Sequence, residues 1–226
     1  YRGVEIVPGV QLGVFDANDA DRNSTVFTLG GRYGLTNRLE LEFRAPYVYR
    51  TDRLTILSQA DQSVSRIKTV EDYGVGDIEL ALRYQLTSGA NGAPIFIGDV
   101  RAKPPTGKGP YDVSYDEFGI ATGLALGSGF WGGEAGLTML YPTDPAVIYA
   151  GLNYNYNVPD DVNKTIGSVR VGRVDPGDSI GANLGFGLAL NPRLSVSLGY
   201  SHNYVFPTRT QINEQTEKST SIQVGS

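Results

Sequence analysis

The side chains able to do covalent or metal chemistry are few. The chain has one histidine, His202, and no cysteine. Disulfides, thiol nucleophiles and cysteine metal sites are therefore excluded. His202 is the only imidazole base, and no serine in a recognisable context accompanies it. A Ser–His–acid set is defined by geometry rather than by composition, so no catalytic residue is assigned. The run "DANDADRN" (16–23) has the oxygen density of a calcium loop but lacks the ordered carboxylate spacing of one. "PTGKG" (105–109) lacks the spacing of a phosphate loop, and no helix follows it. The glycosylation-like "NST" and "NKT" triplets carry no further signal. No cofactor site and no metal site are assigned.

A different chemistry is written into the strand-like segments, as charges on one phase. "LELEFRAPYVYR" (39–50) alternates Glu40, Glu42, Arg44 and Arg50 with Leu39, Leu41, Phe43, Tyr47 and Tyr49. "GDIELALRYQL" (76–86) sets Asp77, Glu79 and Arg83 against Leu80, Leu82 and Tyr84. "FIGDVRAKP" (96–104) sets Asp99, Arg101 and Lys103 against Val100 and Ala102. Later segments keep the alternation with neutral polar groups: Asn153 and Asn155, then Asn183, then Ser195 and Ser197. Strict alternation marks a strand with one apolar face and one wet face. Nine such strands are expected, with a tenth beginning near Thr220. Residues 61–72 are expected to form a short amphipathic helix or a mobile cap.

The connections decide which face is the core. Short turns at 34–38, 87–93, 142–146 and 191–193 alternate with long polar stretches at 16–24, 51–75, 106–130, 158–179 and 206–219. That order matches an outer-membrane barrel, with short turns on one side and long loops on the other. Tyrosines on the apolar phase give the same answer. Tyr33, Tyr84 and Tyr141 lie next to short turns; Tyr47, Tyr49, Tyr154, Tyr156 and Tyr204 lie near long loops. Two aromatic girdles around an apolar band are expected. His202 falls on this same phase, where a Tyr-like interfacial role suits it. The apolar face then meets lipid, and backbone groups are satisfied only if the strands close into a ring.

The expected fold is all-β: one antiparallel transmembrane β-barrel domain over residues 1–226. Twelve strands are expected in the intact protein, about nine to ten within this sequence. The start at Tyr1 reads as a processed or trimmed form, and C-terminal strands as missing. The bacterial outer membrane is the expected location, with the lipid bilayer and lipopolysaccharide as surroundings. A net charge of −5 argues against a nucleic-acid partner. The charged set listed above, from Glu40 to Ser197, is expected to line the bore. Its first half, which also takes in Glu5, Gln11 and Arg32, is charged. Its second half is Gly, Asn, Ser and Thr, including Gly136, Gly151, Gly181, Gly185, Gly187 and Gly199. Those glycines either leave room for a helix or an extended chain, or relieve crowding and curve the sheet.

"YGLTNRLELEFRAPYVYR", "KPPTG", "GSGFWGGEAGLTMLYPTDPAVIYAGLNYNYN" and "VDPGDSIGANLGFGLALNPRLSVSLGYSH" together resemble the phenol meta-degradation-pathway family of outer-membrane barrels. The resemblance covers nearly the whole chain in collinear order and treats 106–130 as a loop. Likeness to one of its relatives, the outer-membrane secretion channel of the Pseudomonas functional-amyloid (Fap) system, implies more. It implies a homotrimer that exports unfolded amyloid-type subunits for a biofilm, and no enzymatic activity. The rival implied function is a diffusion porin for small organic or aromatic solutes.

Overall fold

The computed structural model describes residues 4–17, 20–57, 65–114, 121–166, 169–191, 194–212 and 215–219. Fourteen strands follow in chain order: β1 (Val4–Ala17), β2 (Ala20–Gly34), β3 (Leu39–Leu57), β4 (Ser65–Val75), β5 (Glu79–Gln85), β6 (Ile95–Lys103), β7 (Gly132–Pro142), β8 (Ala146–Asn157), β9 (Asp160–Ile166), β10 (Val169–Asp175), β11 (Ser179–Asn191), β12 (Leu194–Val205), β13 (Thr208–Ile212) and β14 (Gln215–Ser219). The wall is a curled antiparallel sheet in the order β1-β2-β3-β5-β6-β7-β8-β11-β12. These are the nine strands expected from the alternation. The expected tenth strand near Thr220 lies outside the described residues.

The wall is an up-and-down meander in which each strand pairs with the next wall strand in the chain, and tight turns join β2 to β3, β5 to β6, β7 to β8 and β11 to β12. In the first turn, Thr36 Oγ1 accepts the N–H groups of Arg38 and Leu39 at 3.2 and 3.0 Å. The β5–β6 turn places Gly89, Asn91 and Gly92 at positive φ, which glycine and asparagine tolerate best.

The long connections differ from the expectation. β1 and β2 run through most of 16–24, with Asp16 opposite Asp21, so this stretch is a hairpin tip rather than a loop. β3 pairs with β5 over Leu39–Arg44 and with β4 over Tyr47–Leu57. Residues 65–72 are thus strand, neither the short helix nor the mobile cap expected over 61–72; residues 61–64 lie outside the described set. The reason is pairing: an extended β3 offers a free ladder edge above β5, and β4 satisfies it. Segments within 158–179 and 206–219 also form strands, in a second sheet ordered β14-β13-β10-β9. In contrast, the described part of 106–130 has no strand, only a 3₁₀ turn at Pro110–Asp112.

Exposure across the wall runs opposite to that of a water-soluble sheet. Leu184 is 58% exposed and Leu198 65%, whereas Glu42 is 3% exposed. Among the described residues the buried apolar cluster lies outside the nine-strand wall. It joins Phe130 to Val171 and Val174 of the second sheet, with Tyr111 and Val162 packed against them.

Candidate functional site: the charged face of the wall

The register brings the sequence-predicted charges together. Arg32 lies opposite Glu42, Glu40 opposite Arg83, and Arg44 opposite Glu79. Glu42 becomes the hub. Arg44 pairs closely with its Oε1, while Arg83 lies 2.7 Å and Arg32 3.9 Å from Oε2. Arg83 also reaches Glu40 at 3.4 Å. Glu79 continues the chain to Arg101 at 2.9 Å and to Arg44 at 3.9 Å. Cross-strand neighbours on one face sit about 5 Å apart, so acids and bases placed in register meet without strain. A carboxylate this buried is tolerable because several guanidinium groups surround it. Asp99 stands apart, since among the described residues it has no ion-pair partner.

Beyond β6 the same face is built on glycine. A methyl placed on Gly136 would sit 2.5 Å from Asp99 Oδ1, and one on Gly151 would sit 2.7 Å from Asn183 Nδ2. Asn153 lies over Gly181, and the Tyr149 hydroxyl over both Gly185 and Gly199. Gly136, Gly151, Gly181, Gly185 and Gly199 are therefore seats, whereas a methyl on Gly187 would meet nothing within 4 Å. Each lets a side chain from the neighbouring strand lie flat against the sheet instead of standing up from it. Of the two readings of these glycines, relief of crowding is the one that these contacts describe. Asn155 lines a hollow with Glu79, Arg101, Lys103 and Glu134. Asn153 Nδ2 donates to Glu134 Oε2 at 3.4 Å. Ser195 and Ser197 lie opposite Ala189 and Gly187 on β11.

Tyr149 was legible in the sequence and absent from the expected set. Its phase in "VIYAGLNYNYN" is that of Gly151 and Asn153, so it shares the charged face rather than the tyrosine girdle. Ile97 shares the face as well, lining a hollow of about 470 Å³ with Arg83, Asp99, Glu134 and Asn183.

At the rim, two arms of the β6–β7 connection, 104–114 and 121–131, lie on this face. Asp77 accepts from Gly107 N–H at 3.1 Å, from Ser128 N–H at 2.7 Å and from Ser128 Oγ–H at 2.6 Å. Arg50 is held by Asp52 at 3.0 Å and donates to the Ala125 carbonyl at 3.1 Å. Asp72 receives Lys108 Nζ at 2.7 Å and Leu124 N–H at 2.9 Å. Burial pushes the Asp72 carboxyl up, but these donors outweigh it and hold it below the usual value.

The opposite face carries the tyrosines. Tyr33, Tyr84 and Tyr141 are exposed near the turn ends, and Tyr47, Tyr49, Tyr154, Tyr156 and Tyr204 near the other ends. Tyr73, Trp131 and Phe206 join the second row, and none of these three was in the expected set. His202 lies on this face, its ring stacked 6.4 Å from that of Tyr200. Among the described residues no cluster of His, Cys, Asp and Glu could hold a metal ion. Among the described residues no helix is long and apolar enough to cross a membrane, which says nothing of strands.

No family model matches the chain. Its backbone does match a crystal structure described as the COG4313 outer membrane channel from Pseudomonas putida F1. The TM-score is 0.55 at 19% identity, covering 95% of this chain and 74% of that one. The fold is that of an antiparallel β-barrel wall. At this identity the likeness fixes the fold alone. It supports an outer-membrane barrel and neither the Fap nor the phenol-pathway assignment in particular.

Proposed function

We propose that this chain forms the wall of a bacterial outer-membrane channel that passes small hydrophilic organic solutes by diffusion. The observation that carries the reading is the reversal of the wall: exposed leucines and tyrosines on one face, and on the other a carboxylate 3% exposed among three arginines. In lipid the apolar band is solvated by acyl chains, and the charged face becomes the lining of an aqueous bore. The lining would then run from Glu40, Glu42, Arg44, Arg50, Asp77, Glu79, Arg83, Asp99, Arg101 and Lys103 to the Asn153, Asn155, Asn183, Ser195 and Ser197 wall. The tyrosine rows would sit at the two headgroup levels, and lipopolysaccharide would surround the loop side. No step of such transport needs a catalytic group.

Export of an unfolded amyloid-type polypeptide, with assembly as a homotrimer, is the second reading. The flat Gly/Asn/Ser wall favours it, because an extended chain could slide along side chains that do not project. The arms at the rim favour diffusion of small solutes, since an unfolded chain would have to displace them.

Planar-bilayer recording on the full-length protein separates the two. Steady conductance with uptake of small sugars and amino acids supports the diffusion channel. Current blockades produced by a Gly/Asn/Gln/Ser-rich peptide, without small-solute uptake, would support export. A detergent-folded, heat-modifiable protein that never conducts would defeat both.

A further inference from the structure

The β6–β7 connection joins two strands that are adjacent in the wall, so closing it requires only a short turn. Its two described arms reach much further. On one side they touch β3, β4 and the β4–β5 corner. Arg50 bonds Ala125, and a methyl on Gly76 would meet Leu126 O, Pro46 and Val48 within 3.1–3.2 Å. On the other side Tyr111 and Phe130 pack edge to face, ring centroids 6.0 Å apart, in the cluster with Val171 and Val174 of β10. Lys164 of β9 adds bonds to the Tyr111 carbonyl at 2.7 Å and to Asp112 at 2.9 Å. The arms thus run from the β3–β5 side of the wall to the hairpin that rises beyond β8. The side chains they bond on the first side, Arg50, Asp72 and Asp77, share the phase of the charged face, and Thr106 adds bonds to the backbone of Gly76 and Ile78.

The arms are also closely joined to each other. Leu126 and Gly127 N–H groups donate to the Lys108 carbonyl at 2.8 and 3.0 Å. A methyl on Gly109 would lie 2.7 Å from Gly129 Cα, and one on Gly107 3.0 Å from Gly127 Cα and 2.9 Å from Gly76 Cα. Backbones approach this closely only where no side chain intervenes. Asp77 ties the assembly to the wall with three donors on one carboxylate, the arrangement in which an acceptor is hardest to replace.

We propose that arms 104–114 and 121–131 form the constriction that sets the size limit of the channel, with Asp77 as the positioning residue that fixes them across the charged face. This rests on the channel reading and adds which element discriminates between solutes. The longest wall side chains are poorly placed to do so, because the arginines of β2, β3, β5 and β6 are folded into ion pairs and Asp99, Asn153, Asn183 and Tyr149 lie on glycine seats.

The test uses the full-length protein and three variants in bilayers and in swelling assays with sugars of graded size. Asp77→Ala removes the acceptor; it is expected to raise conductance and admit larger sugars. Ser128→Ala, which keeps the backbone bond and removes the hydroxyl, is expected to shift the limit in the same direction but less. Ala125→Cys is compared with itself before and after a bulky maleimide, and with the parent given the same reagent; labelling is expected to remove most of its current and to leave the parent's unchanged. If Asp77→Ala does not fold, shown by loss of heat-modifiable migration, the Ser128→Ala and maleimide results decide. A parent channel that conducts while folded Asp77→Ala matches it, or while Ala125→Cys keeps its own current after labelling, would overturn the constriction alone. A parent that never conducts would remove the channel reading and the constriction with it.

Discussion

Leu152 and Asn153 are adjacent in β8 and occupy opposite faces, so they allow the orientation of the wall to be tested with one new side chain. Leu152 is 62% exposed. Ile148, which lies opposite Tyr141, and Tyr156 flank it at four residues on either side. At about 3.3 Å per residue and a tilt of about 45°, the level of Tyr141 is about 9 Å away along the membrane normal on one side, and the Tyr154–Tyr156 row about 5–9 Å away on the other. Leu152 therefore sits near the middle of the apolar band. Arginine at the lipid-facing midplane of a barrel costs about 2–4 kcal/mol. With about 1.4 kcal/mol per factor of ten, Leu152→Arg should lower the folded-to-unfolded ratio roughly 30- to 700-fold.

Asn153→Arg places the same group beside Glu134, whose carboxylate already receives the asparagine amide at 3.4 Å. A solvated ion pair changes stability by no more than about 1 kcal/mol. Its effect should appear in transport instead: the longer side chain leaves its seat over Gly181, and the current falls. Urea titrations of folding into lipid vesicles measure the first quantity, and single-channel recording the second. In a water-soluble sandwich with the same sequence pattern Leu152 would face the core, so Leu152→Arg would be costly there too, but the protein would fold without lipid or detergent. Near-neutral Leu152→Arg together with a costly Asn153→Arg would refute the orientation of every strand.

Glu42→Ala leaves three partly exposed guanidinium groups around an empty hub and should cost about 1–3 kcal/mol, read by the same urea titration. Gly136→Ala should fold, lift the flexible Asp99 carboxylate off the wall and lower single-channel conductance; an unchanged current would contradict the seat. The rim latch should be insensitive to mild acid. The Lys164 hydrogen bond holds the Asp112 carboxyl below its ordinary value against some burial, and Asp72 is also lowered. Groups with depressed folded pKa values contribute fully above the unfolded value of 3.8 and lose that contribution only as pH falls through the folded values. Tryptic cleavage after Lys108, measured after brief acid exposure and neutralisation, should therefore not rise between about pH 8 and pH 5.

The wall was legible because β alternation is a local signal that survives in every segment from Leu39 to Tyr204. Short turns and long connections then fixed the order of the strands. Two things were not legible, and Tyr149 was legible but passed over. Hairpins β3–β4 and β9–β10 extend the ladders above the wall, and polar sequences such as "RTDRLTIL" give no apolar phase from which to read a strand. Tyr149 was readable by phase but hidden by its likeness to Tyr154 and Tyr156 on the other face. The contacts of Asp77 with Gly107 and Ser128 join residues about 30 and 51 positions apart. No periodicity reports contacts at that separation; the glycine doublets "GKG" and "GSG" were the only trace.

Both halves of the charged face reach the same physical result by different means. On β2, β3, β5 and β6, long side chains reach across the strands into ion pairs, so Arg32, Arg44, Arg83 and Arg101 are drawn toward the sheet by carboxylates in register. On β7, β8, β11 and β12 there are few charges to do this, and glycine does it sterically, giving Asn153, Asn183 and Tyr149 a flat place to lie. On the channel reading, a wall that keeps its own side chains low has little power to discriminate between solutes by size. Discrimination must then come from an element that crosses the bore, and among the described residues the arms held by Asp77 are the ones that span this face. The maleimide reaction at Ala125→Cys therefore bears on the wall as well as on the arms. If current persists after labelling while Gly136→Ala alone lowers it, the narrow point lies at the seats, and the flat-wall account is the part to abandon.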